Sequence, residues 1–171
     1  MIWSNFGEIL SKESRDIVGV MSGTSADGLE LALTRCTGSG KRMKVELLKH
    51  SSIAFDRAFQ DEVVATYNPF ISGVDRVNRM NFLIGKTHAR HIKSFLNSLA
   101  APVDVIAYHG QTVYHDPADG STLQIGEADF VSHETGLPVI FDFRKKDMVV
   151  GGEGAPLIPY LDWILFEDGT Y

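Results

Sequence analysis

The chain has 171 residues, 44% hydrophobic and 22% charged, with a formal net charge of −6 at pH 7. That length holds one domain or two small ones around a sizeable core, and the acidic balance, with no basic run longer than Arg144-Lys145-Lys146, argues against a nucleic-acid partner. A single cysteine, Cys36, excludes an internal disulfide, and neither a signal-type leader nor a bilayer-length apolar run is present, so a cytoplasmic chain without a membrane partner is expected.

Residues 1–15 read as an N-terminal extension, either a short helix or a segment packed on the outside. Asp16–Met21 predicts a strand, Ser22–Gly28 a turn, and Leu29–Arg35 a second strand with alternating Leu29, Leu31 and Leu33. Met43–Ile53 predicts a third, so three antiparallel strands open the domain. Asp56–Tyr67 and Val74–Leu99 carry apolar residues at helical spacing, the first stopped by Asn68-Pro69. His88 and His91 on the second helix read as surface or boundary residues, since no carboxylate or cysteine accompanies them at ligand spacing. Val103–Tyr108 is an apolar strand, Thr122–Ile125 a short strand at most, Gly126–Thr135 a helix closed by Gly136, and Leu137–Phe141 the fifth core strand. Leu157–Phe166 is apolar enough for a last helix, which either finishes this core or leaves a face for a partner. The order implies an α/β fold with a mixed five-stranded sheet and helices on both faces, in a single lobe over residues 16–171.

Three stretches carry chemistry. Ser22-Gly23-Thr24-Ser25-Ala26-Asp27-Gly28 reads equally as a plain β-turn or as a cradle for phosphate oxygens, with Asp27 near a phosphate-bound Mg²⁺. Gly38-Ser39-Gly40-Lys41 resembles the end of a P-loop, but Arg35 and Arg42 stand where that pattern needs Gly and Ser or Thr. His109-Gly110-Gln111-Thr112-Val113-Tyr114-His115-Asp116-Pro117 follows a strand and suits a polyhydroxylated ligand better than zinc, whose third ligand is missing; Gln124 adds a polar end beside Gly126. Asp142 to Pro156 brings Asp142, Arg144 and Asp147 past the fifth strand, then Gly151, Gly152 and Gly154. Open α/β sheets put their ligand crevices at such strand ends, although a solvated loop has the same composition. Asp147 is the candidate general base, Asp142 and Arg144 orient substrate or offset developing charge, and the glycines let the loop close over a ligand.

Met21–Gly28, His109–Pro117, Gln124–Gly126, Asp142–Asp147 and Gly151–Pro159, in that order, resemble the anhydro-N-acetylmuramic acid kinases of the actin/hexokinase/Hsp70 superfamily from about Ile17 to about Asp162. The resemblance implies a ribonuclease-H-like lobe, and ATP and Mg²⁺ as cofactors. It implies water attack on the anomeric carbon of 1,6-anhydro-N-acetylmuramic acid, with phosphoryl transfer to O6, on the route that recycles peptidoglycan. By the same resemblance Asp147 activates water, assisted by Arg144. Ser22, Gly23, Thr24, Ser25 and Asp27 meet the ATP phosphates and Mg²⁺; His109, Gly110, Gln111, Thr112, His115, Gln124, Asp142 and Gly152 meet the sugar. Glu30, Glu127 and Glu153 depart from the family's usual Asp, Asp and Gln, and Glu153 adds negative charge near the site. Family enzymes carry a second, C-terminal lobe that supplies much of the nucleotide pocket. The expected partner is therefore that lobe or a second copy in a homodimer; the rival expectation is a non-catalytic sugar-binding or docking subunit, or a kinase for another sugar.

Overall fold

The computed structural model describes residues 6–166; the portions of the expected extension and lobe at 1–5 and 167–171 lie outside the described residues. One mixed sheet is built from β1 (Ser14–Ser22), β2 (Gly28–Thr37), β3 (Lys44–Ala54), β4 (Val105–Asp116), β5 (Ser121–Ile125) and β6 (Val139–Ile140). Its path is β3-β2-β1-β4-β5, with β6 also on β4. The first three strands pair antiparallel, β4 runs parallel to β1 and β6, and β5 returns antiparallel along β4. This is the mixed α/β architecture expected of an actin-like, ribonuclease-H-like lobe.

The sheet has six strands among the described residues, not five. β4 does not stop at Tyr108; it continues through the His109–Asp116 stretch and turns sharply into β5. The turn is local chemistry. Asp116 Oδ1 accepts the N–H groups of Ala118 and Asp119, and Gly120 takes φ +64.

Helices α1 (Phe6–Ser11), α2 (Arg57–Ala65), α3 (Val74–Asn97), α4 (Ala128–Thr135), α5 (Phe143–Val149) and α6 (Pro159–Phe166) complete the chain. Asp56 caps α2 by accepting the Phe59 N–H at 2.9 Å, and Gly136 closes α4 at φ +72. Val18 and Val20 of β1 stand beside Leu33 and Leu31 of β2 and beside Ile106 and Tyr108 of β4. Ala89, Ile92 and Phe95 of α3 and Val131 of α4 pack over them. Burial of each large aliphatic side chain contributes about 1.5–3 kcal/mol, so this face dominates the lobe's stability. A second cluster joins Ala26, Val63, Met80, Ile84, Val113 and Ile125, tying the turn after β1 to α2, α3 and the β4–β5 hairpin.

His88 is not a boundary residue. It is 1% exposed, lies on the four-residue stripe Met80, Ile84, Ile92 of α3, stacks on Phe55, and shares a 2.8 Å hydrogen bond with the Tyr108 hydroxyl. Gly126 is obligatory beneath that pair: it has φ +113, and a Cβ there would overlap the Tyr108 hydroxyl. At the other end of the chain, α6 buries none of its residues and leaves Phe166 76% exposed, so it does not finish this core.

Candidate active site

β4 changes neighbours along one edge. Ile106 and Ala107 pair with β6, whereas Gln111 to Asp116 pair with β5. Gly110, at φ +70, carries the strand across the gap; a Cβ there would meet the Ile125 carbonyl at 2.6 Å. A cleft of about 500 Å³ opens at this split. Of the expected substrate-binding residues, His109, Gly110, Gln124 and Asp142 line it, joined by Asn78 and Asn81 of α3. Asn81 is held in place, accepting the Gly126 N–H at 2.6 Å and donating to Glu127 at 3.1 Å. Sequence periodicity had given no sign of the α3 contribution, because exposed polar residues on an amphipathic helix look like a solvated face.

The stretch after β6 is not a loop throughout: Phe143–Val149 forms α5, which places Arg144 and Asp147 one turn apart on a single face. Asp142, its N-terminal flanking residue, sits at φ +63 and pairs with Lys145 at 2.8 Å. The glycine segment then folds back on Asp147. Gly154 N–H donates to Asp147 Oδ2 at 2.8 Å, and Gly152 N–H donates to the Asp147 carbonyl at 3.0 Å. Arg144 spans to the same segment, with Nη1 donating to the Gly154 carbonyl at 2.7 Å and Nε donating to His109 Nε2 at 2.8 Å. Burial, opposed by a hydrogen bond to the Gly110 carbonyl and reinforced by the Arg144 charge, pushes the His109 pKa below the usual histidine range.

A Cβ at Gly152 would overlap the Asp147 carboxylate itself. The atom displaced is the end of a side chain rather than main chain, so Gly152→Ala is expected to swing the carboxylate away with little loss of fold. The Gly154 N–H contact to Asp147 should be lost while the melting temperature moves only a few degrees, as amide exchange and calorimetric melting of the variant would report.

On the opposite edge of β4 lies the turn after β1. Ser22 is 1% exposed and its hydroxyl donates to the Gly28 carbonyl at 2.9 Å, clamping the turn's base. Gln111, equally buried, donates from its amide to the Gly23 carbonyl at 2.9 Å and to the Tyr67 hydroxyl at 2.8 Å. Thr24, Ser25 and Asp27 are exposed, and Ser25 holds Asp27 Oδ1 at 2.8 Å. The N–H groups of Thr24 and Ser25 meet no protein acceptor among the described contacts. That donor set fits a phosphate, and the single exposed carboxylate fits a water-mediated contact with Mg²⁺. None of Ser22–Asp27, Arg144 or Asp147 lines the cleft itself; Gln111 and His109, two residues apart on β4, reach the two flanking groups.

Thr112, His115 and Gln124 form one polar cluster. Gln124 Nε2 donates to Thr122 Oγ1 at 2.8 Å and to Thr112 Oγ1 at 3.3 Å, and His115 Nδ1 lies 3.1 Å from the same Thr122 oxygen. His115 Nε2, Gln124 Oε1, Gln111 Oε1 and Ser72 Oγ are buried without a protein partner. Leaving such atoms unpaired costs about 1–3 kcal/mol each, which marks this edge as built around ligand or water.

A mixed sheet of this order, with a turn cradle and a strand-switch cleft on either side of β4, defines an actin-like, ribonuclease-H-like lobe. The chain belongs to the anhydro-N-acetylmuramic acid kinase family, whose sequence profile matches residues 15–171. An anhydro-N-acetylmuramic acid kinase of Caldanaerobacter subterraneus subsp. tengcongensis is 38% identical over 169 residues, covering 92% of this chain and 43% of that protein. Kinases of the same description from Bacillus thuringiensis subsp. konkukian and Bacillus cereus (strain AH820) are 42% identical over 160 residues, covering 89% of this chain and 42% of each protein. The chain thus spans less than half the length of these curated relatives. Among the described residues no helix is long and apolar enough to cross a membrane.

Proposed function

We propose that the chain is the sugar-side lobe of a kinase that opens 1,6-anhydro-N-acetylmuramic acid with water and phosphorylates its O6, working with a complementary C-terminal lobe; the relatives, more than twice its length, leave room for one. The observation that carries this is the fixed carboxylate of Asp147, held by the Gly154 N–H beside a cleft already lined by His109, Gly110, Gln124 and Asp142. Asp147 takes the proton of the attacking water, which requires position more than an unusual environment. The cluster of Thr112, His115 and Gln124 offers buried acceptors to sugar hydroxyls, in keeping with its unpaired atoms. Gly152 keeps the space that the carboxylate occupies. ATP with Mg²⁺, when bound, would supply the phosphoryl group; the Thr24 and Ser25 N–H groups would hold its phosphates, and Asp27 would hold the ion through water. Catalysis of this type rests on positioning and charge neutralisation.

The test is titration calorimetry of the chain with 1,6-anhydro-N-acetylmuramic acid, beside phosphorus NMR of the full-length enzyme with ATP and Mg²⁺. Saturable sugar binding and a sugar 6-phosphate product are expected. Binding without any phosphorylated product from the full-length enzyme would leave a sugar-binding protein and refute the kinase.

A further inference from the structure

His109 lines the cleft, yet neither of its ring nitrogens is free for a sugar. Nδ1 lies 3.0 Å from the Gly110 carbonyl, and Nε2 lies 2.8 Å from Arg144 Nε. A guanidinium only donates. Nε2 must therefore present its lone pair, which puts the ring proton on Nδ1, where the Gly110 carbonyl accepts it. Gly154 is used at both ends in the same way, its carbonyl accepting from Arg144 Nη1 at 2.7 Å and its N–H donating to Asp147 Oδ2 at 2.8 Å. Four groups are thus joined in series with consistent donor and acceptor senses. Gly154 is at φ +71, and a Cβ there would press on Met148 and the His115 ring, so this place in the line suits glycine.

We infer that His109 is a positioning residue, whose neutral Nδ1–H form aims Arg144 at the glycine segment and so fixes the Asp147 carboxylate, rather than a ligand of the sugar. The inference rests on the base role proposed for Asp147, but its primary readout does not. Nitrogen-15 NMR of the chain should show the His109 ring as the Nδ1–H tautomer and the Arg144 Nε–H as a slowly exchanging signal. His109→Gln, whose side-chain oxygen reaches the place of Nε2, should keep that signal; His109→Phe and the shorter His109→Asn should lose it. In the full-length enzyme, His109→Phe and His109→Asn should lower kcat by about 10- to 100-fold with the KM for sugar within about threefold, and His109→Gln should recover most of the rate. An Arg144 signal unchanged in His109→Phe and His109→Asn, with KM raised tenfold and kcat intact, would make His109 a sugar ligand and overturn the inference. Failure of the base assignment has a separate signature, since Asp147→Asn would then retain turnover while the Arg144 signal still followed position 109.

Discussion

Asp147→Asn in the full-length enzyme is expected to lose about 10²–10⁴-fold in turnover, the range for removing a positioned base, while sugar affinity changes by no more than a few fold. Asparagine has the size of aspartate, and its amide oxygen still accepts the Gly154 N–H that now reaches Oδ2 at 2.8 Å. What it cannot do is take a proton. The carboxylate lies outside the cleft lining, so the cleft walls at Gly110, Gln124 and Asp142 survive the change. Steady-state kinetics with calorimetry on the same variant separates the two quantities. A rate within tenfold of the parent removes Asp147 from the chemistry. Gly152→Ala is the complement, because it leaves the carboxylate intact and moves it, so both variants should fail in rate and only the second should shift the position of the acid.

The second large effect is on stability in acid. Burial, aided by the nearby His91 charge, pushes the His88 pKa from the usual histidine value down to about 3. Between pH ~6.5 and ~3 the unfolded chain binds a proton that the folded chain refuses, so stability present above that window is lost as pH falls through it. The loss is about 1.4 kcal/mol per pH unit and about 5 kcal/mol across the window, comparable to the whole stability of a small domain. His91 and His109, also lowered chiefly by burial, add to the same limb. Asp16, lowered chiefly by its hydrogen bond from Arg35, and Glu30, lowered chiefly by Ser52, contribute only nearer the ordinary carboxylate range. His88→Leu should therefore flatten the decline between pH 6 and 5 by about 1 kcal/mol. At neutral pH it should cost about 1–3 kcal/mol, because the buried Tyr108 hydroxyl loses its partner. Denaturant midpoints at three pH values would show it, and parallel slopes for the two proteins would contradict it.

Much of this fold is legible along the chain because its signals are local. The Leu29, Leu31, Leu33 alternation, the helical spacing that begins at Asp56 and the Gly136 stop each act within a few residues, and each element appears where its signal stands. The extension of β4 was hidden, since His109-Gly110-Gln111-Thr112 has the composition of a loop, and only pairing with β5 across an Asp116 turn makes it a strand. His88 was misjudged for a related reason: a polar residue on a core stripe is tolerated only when a distant hydroxyl meets it, and Tyr108 is 20 positions away. At the site, the charged residues were visible but their assignments to one another were not. That Arg144 faces His109, and that Gly152 and Gly154 close on Asp147, depends on α5 being helical.

The exchange of neighbours along β4 has a consequence for redesign. Because main-chain ladders on β5 and β6 set the width of the opening, its floor cannot be reshaped by loop grafting without unpicking the sheet. A side chain that leans in from outside the ladder, Asn78 of α3, is the position where the lining can change at small cost to folding.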